Sequence, residues 1–152
     1  MSDLYLLDTN VILALVRAKE LGQHIDERFG LRSSSQRPLV SVVSLGEAQV
    51  LARRNGWGEP KLAALENALD NLIVVDINHR AVIDAYVELD LHSQAHREGA
   101  RNMGKNDLWI AACAKAAGAV LLTTDKDFDH LIPDYVAGVV IDPKVSRDGS
   151  CE

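Results

Sequence analysis

The sequence predicts an α/β domain of three layers, with helices on both faces of a central, mostly parallel, five-stranded sheet. Five short apolar runs, most of them without the polar alternation of half-exposed strands, are typical of strands that are buried on both faces. Stretches of helical periodicity lie between these runs, and strands that alternate with helices form right-handed crossover units. The chain of 152 residues is long enough to bury the core of one such domain.

Each predicted element has a local signal. The strands are assigned to the runs Leu4–Leu7, Leu39–Val43, Leu72–Val75, Ala119–Leu122 and Val139–Ile141. Helices are assigned where apolar residues recur at steps of three and four, as in Leu62, Leu65, Leu69, Leu72 and again in Val82, Tyr86, Leu89. We expect residues 1–142 to form one domain and residues 143–152 to form a polar, flexible tail.

The composition narrows the class of function. A net charge of −6 and a pI near 5.3 argue against a broad basic surface that wraps nucleic acid, but they are compatible with an acidic site that metal ions neutralise. No apolar run approaches the roughly 20 residues of a membrane span, and the N-terminus does not read as a signal peptide. The two cysteines, Cys113 and Cys151, do not make a disulfide framework. We therefore expect a cytoplasmic protein without membrane contact.

Four acids stand where predicted strands end or helices begin. Asp8 follows the first strand in LYLLDTN, and Glu47 lies in VSLGEA after the second strand. Asp107 lies in GKNDLWIAA, where Asn106 is the expected helix N-cap, and Asp125 follows the fourth strand in LLTTDKDFD. Because ligands of open parallel sheets bind beyond the carboxyl ends of the strands, we expect these acids to share one rim of the sheet.

Grouped carboxylates indicate a cation. Several carboxylates within a few Å repel one another, and they stay ionised only when a positive charge lies between them. Oxygen ligands favour Mg²⁺ or Mn²⁺, whereas zinc usually takes His or Cys. A hard dication with open positions activates water and neutralises phosphate charge, which is the chemistry of phosphodiester hydrolysis.

Each acid also has a purely structural interpretation. Ser44 and Glu47 match a capping box, in which the acid only satisfies the start of a helix. Asp107 in a first helical turn is stabilised by the helix dipole, and Asp125 can cap a short following helix. Asp8 is expected to have no capping role. The four together are harder to explain in this way than any one alone.

These motifs resemble the PIN-domain ribonucleases, and within them the VapC-type toxins of toxin–antitoxin pairs. The segments LLDTN, NDLWIAA and LLTTDKDF occur in the family's order, with an acid in the helix after the second strand, and the resemblance runs from Tyr5 to Ile141. It implies an α/β/α sandwich, a homodimer, a Mg²⁺- or Mn²⁺-dependent endoribonuclease acting on RNA, and a cognate antitoxin.

The resemblance also assigns roles to residues. By motif, the family's acidic quartet falls on Asp8, Glu47, Asp107 and Asp125, of which Asp8, Asp107 and Asp125 would hold the metal. Glu47 would be a further ligand or would orient the attacking water. Thr124 falls where the family often places a polar residue near the metal, and Asp127 is a further candidate acid. Hydrolysis by this route leaves a 5′-phosphate.

Basic and histidine residues precede the Asp107 segment. Arg97, Arg101 and Lys105 recur every four residues, and they could contact RNA phosphates or form a solvated helix end. His92 and His96 have zinc-ligand spacing, but the sequence offers them no third ligand.

Two other functions stay open on the sequence alone. One is a catalytically silent PIN scaffold that acts as a binding module. The other is a receiver-like phosphoacceptor domain, with Asp8 and Asp76 as the acids after strands one and three and with Thr123 and Lys144 as the polar groups. Receiver chemistry needs a second acid where Leu7 stands.

The first helix carries more apolar residues than one buried stripe requires. These residues are Val11, Ile12, Leu15 and Val16. We expect this helix and the one carrying Leu45 and Leu51 to form a groove for a partner segment or to contribute to a dimer.

Overall fold

A computed structural model describes residues 3–33, 35–95 and 103–144. Its strands are β1 (Tyr5–Leu7), β2 (Leu39–Ser41), β3 (Ile73–Val75), β4 (Val120–Thr123) and β5 (Gly138–Val140). Its α-helices are α1 (Thr9–Arg17), α2 (Glu20–Phe29), α3 (Val42–Arg54), α4 (Glu59–Asp70), α5 (Arg80–Gln94) and α6 (Lys105–Ala117). A 3₁₀ helix, Lys126–Leu131, connects β4 to β5.

The five strands form one sheet in the order β3-β2-β1-β4-β5. Every neighbouring pair is parallel, so the prediction of a mostly parallel five-stranded sheet is confirmed. The central strand is β1, whose Leu6 is in register with Leu39 on one side and with Leu121 on the other. All five strands therefore end at the same rim of the sheet.

Alternating side chains of the central strands build two separate cores. Leu6 and Leu121 pack with α5, α6 and the 3₁₀ helix on one face. Leu7, Val40 and Leu122 pack with α1 to α4 on the other face. Because successive side chains of a strand point to opposite faces, one apolar run serves both cores. This arrangement is the three-layer α/β/α sandwich that the sequence predicts.

Two predicted strands differ from the structure in informative ways. The run Leu39–Val43 is a strand only to Ser41, because the Ser41 hydroxyl accepts a hydrogen bond of 3.1 Å from the Val43 N–H and caps α3. The expectation that all five strands are buried on both faces is wrong for β3. This strand lies at the edge of the sheet, and Ile73 and Val74 are 48% and 45% exposed.

Beyond β5, Ile141 is buried and Asp142 to Lys144 are exposed. The predicted tail from residue 145 onward lies outside the described residues, so the division at residue 142 stays a prediction. Among the helices of the described ranges, none is long and apolar enough to cross a membrane.

Candidate active site

The sheet has its topological switch point between β1 and β4. From β1 the chain first builds β2 and β3 on one side of the sheet, and it then crosses to β4 and β5 on the other. The Asp8 N–H donates to the Leu122 carbonyl at 2.9 Å, which keeps β1 and β4 paired up to the rim. Asp8 and Asp125, which follow these two strands, therefore flank the position where ligands of open α/β sheets bind.

Asp8 is buried, with 3% of its surface exposed, and each of its oxygens has a donor. Oδ1 accepts from the Thr9 N–H at 2.7 Å, so Asp8 is the N-cap of α1. The expectation that this acid has no capping role is wrong, since α1 begins directly after the strand. Oδ2 accepts from the Thr123 hydroxyl at 2.7 Å.

Glu47 does not belong to a capping box. Helix α3 begins at Val42 with Ser41 as its N-cap, so Glu47 is the sixth helical residue, too far along the helix to reach back to the N-cap N–H. Its Oε1 instead lies 2.5 Å from the Thr9 hydroxyl, and its Oε2 accepts from Asn106 Nδ2 at 3.2 Å. The structural alternative for this acid is therefore wrong.

Asp107 is the third residue of α6. The N-cap of this helix is Gly104, and the prediction that Asn106 is the cap is wrong because Asn106 already has helical geometry and points to Glu47. An acid in the first turn is favoured by the helix dipole. Burial, and after it the charges of the neighbouring acids, nevertheless raise the pKa of Asp107 to about 7.

Asp125 is the N-cap of the 3₁₀ helix, as the structural interpretation of this acid expects. Its Oδ1 accepts from the Asp127 N–H at 2.9 Å, and its own N–H donates to the Thr123 hydroxyl at 3.0 Å. Capping does not exclude a second role. One oxygen from each of Asp107, Asp125 and Asp127 lies within 4.8 Å of the others.

The five acids form one electrostatic unit. The pKa of Asp8 is raised to about 6, because burial and the charges of Glu47 and Asp125 outweigh the hydrogen bonds from Thr123 and Thr9, which lower it. The pKa of Asp107 responds to burial first, and then to Asp8, Asp125, Glu47 and Asp127. In a site without a counterion, these anions destabilise one another.

The donor set fits a hard divalent cation. Asp107, Asp125 and Asp127 offer carboxylate oxygens only, which suits Mg²⁺ or Mn²⁺ better than zinc. Because their oxygens lie within 4.8 Å of one another, these three side chains could converge on one ion. Asp8 and Glu47 are not part of this converging group.

Buried hydroxyl groups hold the acids in place, and the sequence motifs did not assign these groups to the site. Thr123, which is fully buried, bonds both Asp8 and the backbone of Asp125, whereas the sequence pointed to Thr124 as the polar residue of the site. Thr124 is partly exposed next to it. Thr9 and Ser44 were not assigned to the site at all. The sequence does indicate that both residues lie close to the acids, because Thr9 directly follows Asp8 and Ser44 lies three residues before Glu47 on one face of α3.

The predicted basic residues are only partly described. Lys105 Nζ lies 3.6 Å from Asp90 Oδ2 and is otherwise exposed, which places one positive charge beside the start of α6. Arg97, Arg101 and His96 lie outside the described residues. His92 stacks on Tyr135 with ring centroids 3.9 Å apart, so its ring has a packing role.

The strand order contradicts the receiver-like interpretation. Receiver-type sheets place strand three beside strand one, so that their acids meet. Here β3 is an edge strand with β2 between it and β1. Asp76 is exposed at the end of β3 and accepts from the Asn78 N–H at 3.0 Å, away from Asp8.

Comparison with known proteins agrees with the fold and the motif order. Residues 5–132 match the family model described as the PIN domain. Ribonuclease VapC5 of Mycobacterium tuberculosis is 32% identical over 139 residues, which cover 89% of this chain and 91% of that protein.

Solved structures of VapBC complexes contain chains with the same fold. A chain of the DNA-bound VapBC structure from Salmonella typhimurium is 28% identical with a TM-score of 0.69, and the match covers 92% of this chain and 98% of that chain. VapBC-5 from Mycobacterium tuberculosis, a member of the VapBC family of toxin-antitoxin systems, shares the fold at 20% identity with a TM-score of 0.63, over 91% of this chain and 99% of that chain. The chain therefore belongs to the PIN-domain family, in which the relatives it matches are named VapC ribonucleases.

Proposed function

We propose that this protein is a Mg²⁺- or Mn²⁺-dependent endoribonuclease and the toxin of a toxin–antitoxin pair. The observation that carries the proposal is the grouping of five acids beyond the carboxyl ends of the strands, where burial and then the charges of the neighbouring acids raise the pKa of Asp8 and Asp107. The names of the relatives supply the substrate class, because these proteins are ribonucleases.

In the proposed mechanism, Asp8, Asp107 and Asp125 would hold the dication, and Asp127 would be a further ligand. A bound cation would supply an activated water and would neutralise phosphate charge. Thr123 fixes the orientation of Asp8 through its hydroxyl group. Glu47 is a ligand or orients the water that attacks phosphorus in line. The 3′-oxygen departs, and the product carries a 5′-phosphate.

The purified protein tests this proposal directly. Structured and single-stranded RNA should be cut in Mg²⁺ or Mn²⁺ and left intact in EDTA, with activity restored by excess metal. The catalytically silent scaffold predicts intact RNA in every buffer. The cytoplasmic location belongs to the same proposal, because cellular RNA is the substrate.

The basic residues Arg97, Arg101 and Lys105, which precede Asp107 in the sequence, are proposed to bind the RNA backbone. Replacing Arg97, Arg101 and Lys105 together by Ala should weaken RNA binding and lower the slope of log affinity against log salt by roughly 2–3. Binding isotherms of the catalytically inactive Asp107→Asn protein at several salt concentrations measure this slope. An unchanged slope would show that the three residues form only a solvated surface.

A groove on the α1–α4 face is the proposed binding site of the antitoxin. It has a volume of about 540 Å³ and lies between α1, α4 and the segment before β2. Its apolar wall includes Leu15 and Val16, and Arg32 and Arg37 lie at its polar side. The sequence predicted a groove formed with α3, but α4 is the helix that lines this one together with α1. Val11 and Ile12 are instead buried in the core.

Introducing a charge into the groove should weaken antitoxin binding. We expect Val16→Glu to lower the affinity for the cognate antitoxin by about tenfold or more, because a carboxylate would be buried in the complex. RNA cleavage by the isolated variant should stay within about twofold of wild type, since Val16 lies about eight helical residues, or about 12 Å, from Asp8. Unaltered affinity, measured by calorimetry, would exclude this groove.

The expected homodimer is also part of the proposal. Ile83, Val87 and Leu91 are 41%, 50% and 62% exposed and recur every four residues along α5. Such a stripe on one helix face is an apolar surface suited to packing against a second copy about a twofold axis. Sedimentation at micromolar concentration distinguishes a dimer from a monomer.

A further inference from the structure

Side chains from two helices, α1 and α6, hold the carboxylate of Glu47, which lies on a third. The acid itself lies on α3, the Thr9 hydroxyl on α1 lies 2.5 Å from Oε1, and Asn106 on α6 donates to Oε2 at 3.2 Å. Each oxygen of the carboxylate therefore has a neutral donor. A surface glutamate does not need such support, because water satisfies its oxygens.

The hydroxyl side of this arrangement is buried. Thr9 and Ser44 are 2% and 0% exposed, and their hydroxyl oxygens lie 2.8 Å apart. A hydroxyl has one hydrogen and a carboxylate can only accept, so Thr9 donates to Glu47 and accepts from Ser44. The direction of the whole chain of hydrogen bonds is thereby fixed toward the carboxylate.

Thr9 also connects two of the acids. Its backbone N–H donates to Asp8, and its side chain donates to Glu47. A single residue therefore sets the separation between the acid after β1 and the acid on α3. The group of acids whose oxygens converge within 4.8 Å consists of Asp107, Asp125 and Asp127. Glu47 and Asp8 both lie outside that group, but only Glu47 has its two oxygens held by side-chain donors from two other helices.

We propose that Thr9 and Asn106 are positioning residues that fix the Glu47 carboxylate to orient the attacking water, outside the set of acids that holds the cation. This inference rests on the proposed ribonuclease function. Each carboxylate oxygen keeps a lone pair after accepting one hydrogen bond, so Glu47 can accept a proton from a water while it is held. The two hydrogen bonds restrict the rotamers of Glu47, so the carboxylate already has the orientation that the reaction needs.

The test compares variants that keep or remove the donors. Thr9→Val keeps the shape and removes the hydroxyl, and we expect kcat for RNA cleavage to fall by about tenfold to a hundredfold with KM within about twofold of wild type. Thr9→Ser restores the donor and should stay within about threefold of wild type. Asn106 is exposed, so Asn106→Ala should fold normally and lower kcat by about fivefold to tenfold. Asn55→Ala, at the far end of α3, is the matched control and should behave as wild type.

A second readout does not depend on cleavage. Mn²⁺ binding in the absence of RNA, measured by electron paramagnetic resonance, should be unchanged within about twofold in Thr9→Val and Glu47→Gln. Asp125→Asn should weaken it by about tenfold or more. Equal weakening in Glu47→Gln and Asp125→Asn would make Glu47 a ligand and overturn the inference. So would a fully active Thr9→Val protein, or a Thr9→Ser protein as impaired as Thr9→Val. A wild-type protein that leaves RNA intact would overturn the proposed function as well, whereas the other outcomes overturn this inference alone.

Discussion

Asp107→Asn and Asp125→Asn should each lower the rate of Mg²⁺-dependent RNA cleavage by roughly a thousandfold, which corresponds to about 4 kcal/mol of transition-state stabilisation. Each change replaces an anionic oxygen of the converging group by a neutral amide. The cation is then held by fewer charges, and the developing charge on the phosphate is neutralised less well. Initial rates on a defined RNA measure the effect.

The fold should survive both changes. Asn caps helices as well as Asp does, so the 3₁₀ helix after residue 125 keeps its hydrogen bond to Asp127. Asp134→Asn, at an exposed turn residue outside the site, is the matched control and should leave the rate unchanged. Wild-type rates in either site variant, with native circular dichroism, would remove that acid from the active site.

The second large effect concerns stability without metal. Asp107→Asn should stabilise the metal-free protein at pH 8 by about 2 kcal/mol, because it removes a charge that is partly desolvated and lies among four other acids. The same change should reduce the stabilisation that millimolar Mg²⁺ confers, since one ligand is lost. Urea denaturation in EDTA and in Mg²⁺ measures both parts.

The pH dependence has a defined sign. In the folded protein the pKa values of Asp8 and Asp107 rise from 3.8 to about 6 and about 7. Between pH 4 and pH 7 the folded state therefore binds more protons than the unfolded state. The free energy of unfolding from these two groups falls as pH rises through that window and levels off above it.

The wild-type protein in EDTA is thus expected to unfold at lower urea at pH 8 than at pH 5.5, and Asp107→Asn should flatten this slope. Asp134→Asn serves again as the control, because Asp134 is exposed and lies outside the site. Identical pH slopes for the two variants would mean that the acids do not form one site.

The pattern of apolar residues predicts the three layers well, because strands that are buried on both faces have uninterrupted apolar runs in the sequence. The runs that contain Leu6 and Leu121 are strands in the centre of the sheet, where both faces are covered. The same pattern wrongly predicted burial on both faces for β3, because an apolar run in the sequence does not distinguish an edge strand from a central strand. Ile73 and Val74 are half exposed because no strand follows β3 on its outer side.

The order of the motifs in the sequence identifies the acids, but it does not identify the side chains that donate hydrogen bonds to them. A capping box is a structural alternative for Glu47 because Ser44 precedes it by three residues. Helix α3 in fact begins one turn earlier, with Ser41 as its N-cap. Thr9 and Thr123 contact acids 38 and 115 residues away in the sequence. Such contacts depend on the strand order, which local patterns do not contain.

The chemistry of the cut ends is the most direct test of the central claim that these acids form one metal-dependent nuclease site. RNA cut by the purified wild-type protein in Mg²⁺ should carry a 5′-phosphate on the downstream fragment and a 3′-hydroxyl on the upstream one, and it should stay uncut in EDTA. Water attack at phosphorus with departure of the 3′-oxygen gives these ends, and no cyclic phosphate forms because the ribose 2′-hydroxyl takes no part. Products with 2′,3′-cyclic phosphate ends, or cleavage that persists in EDTA, would contradict the account.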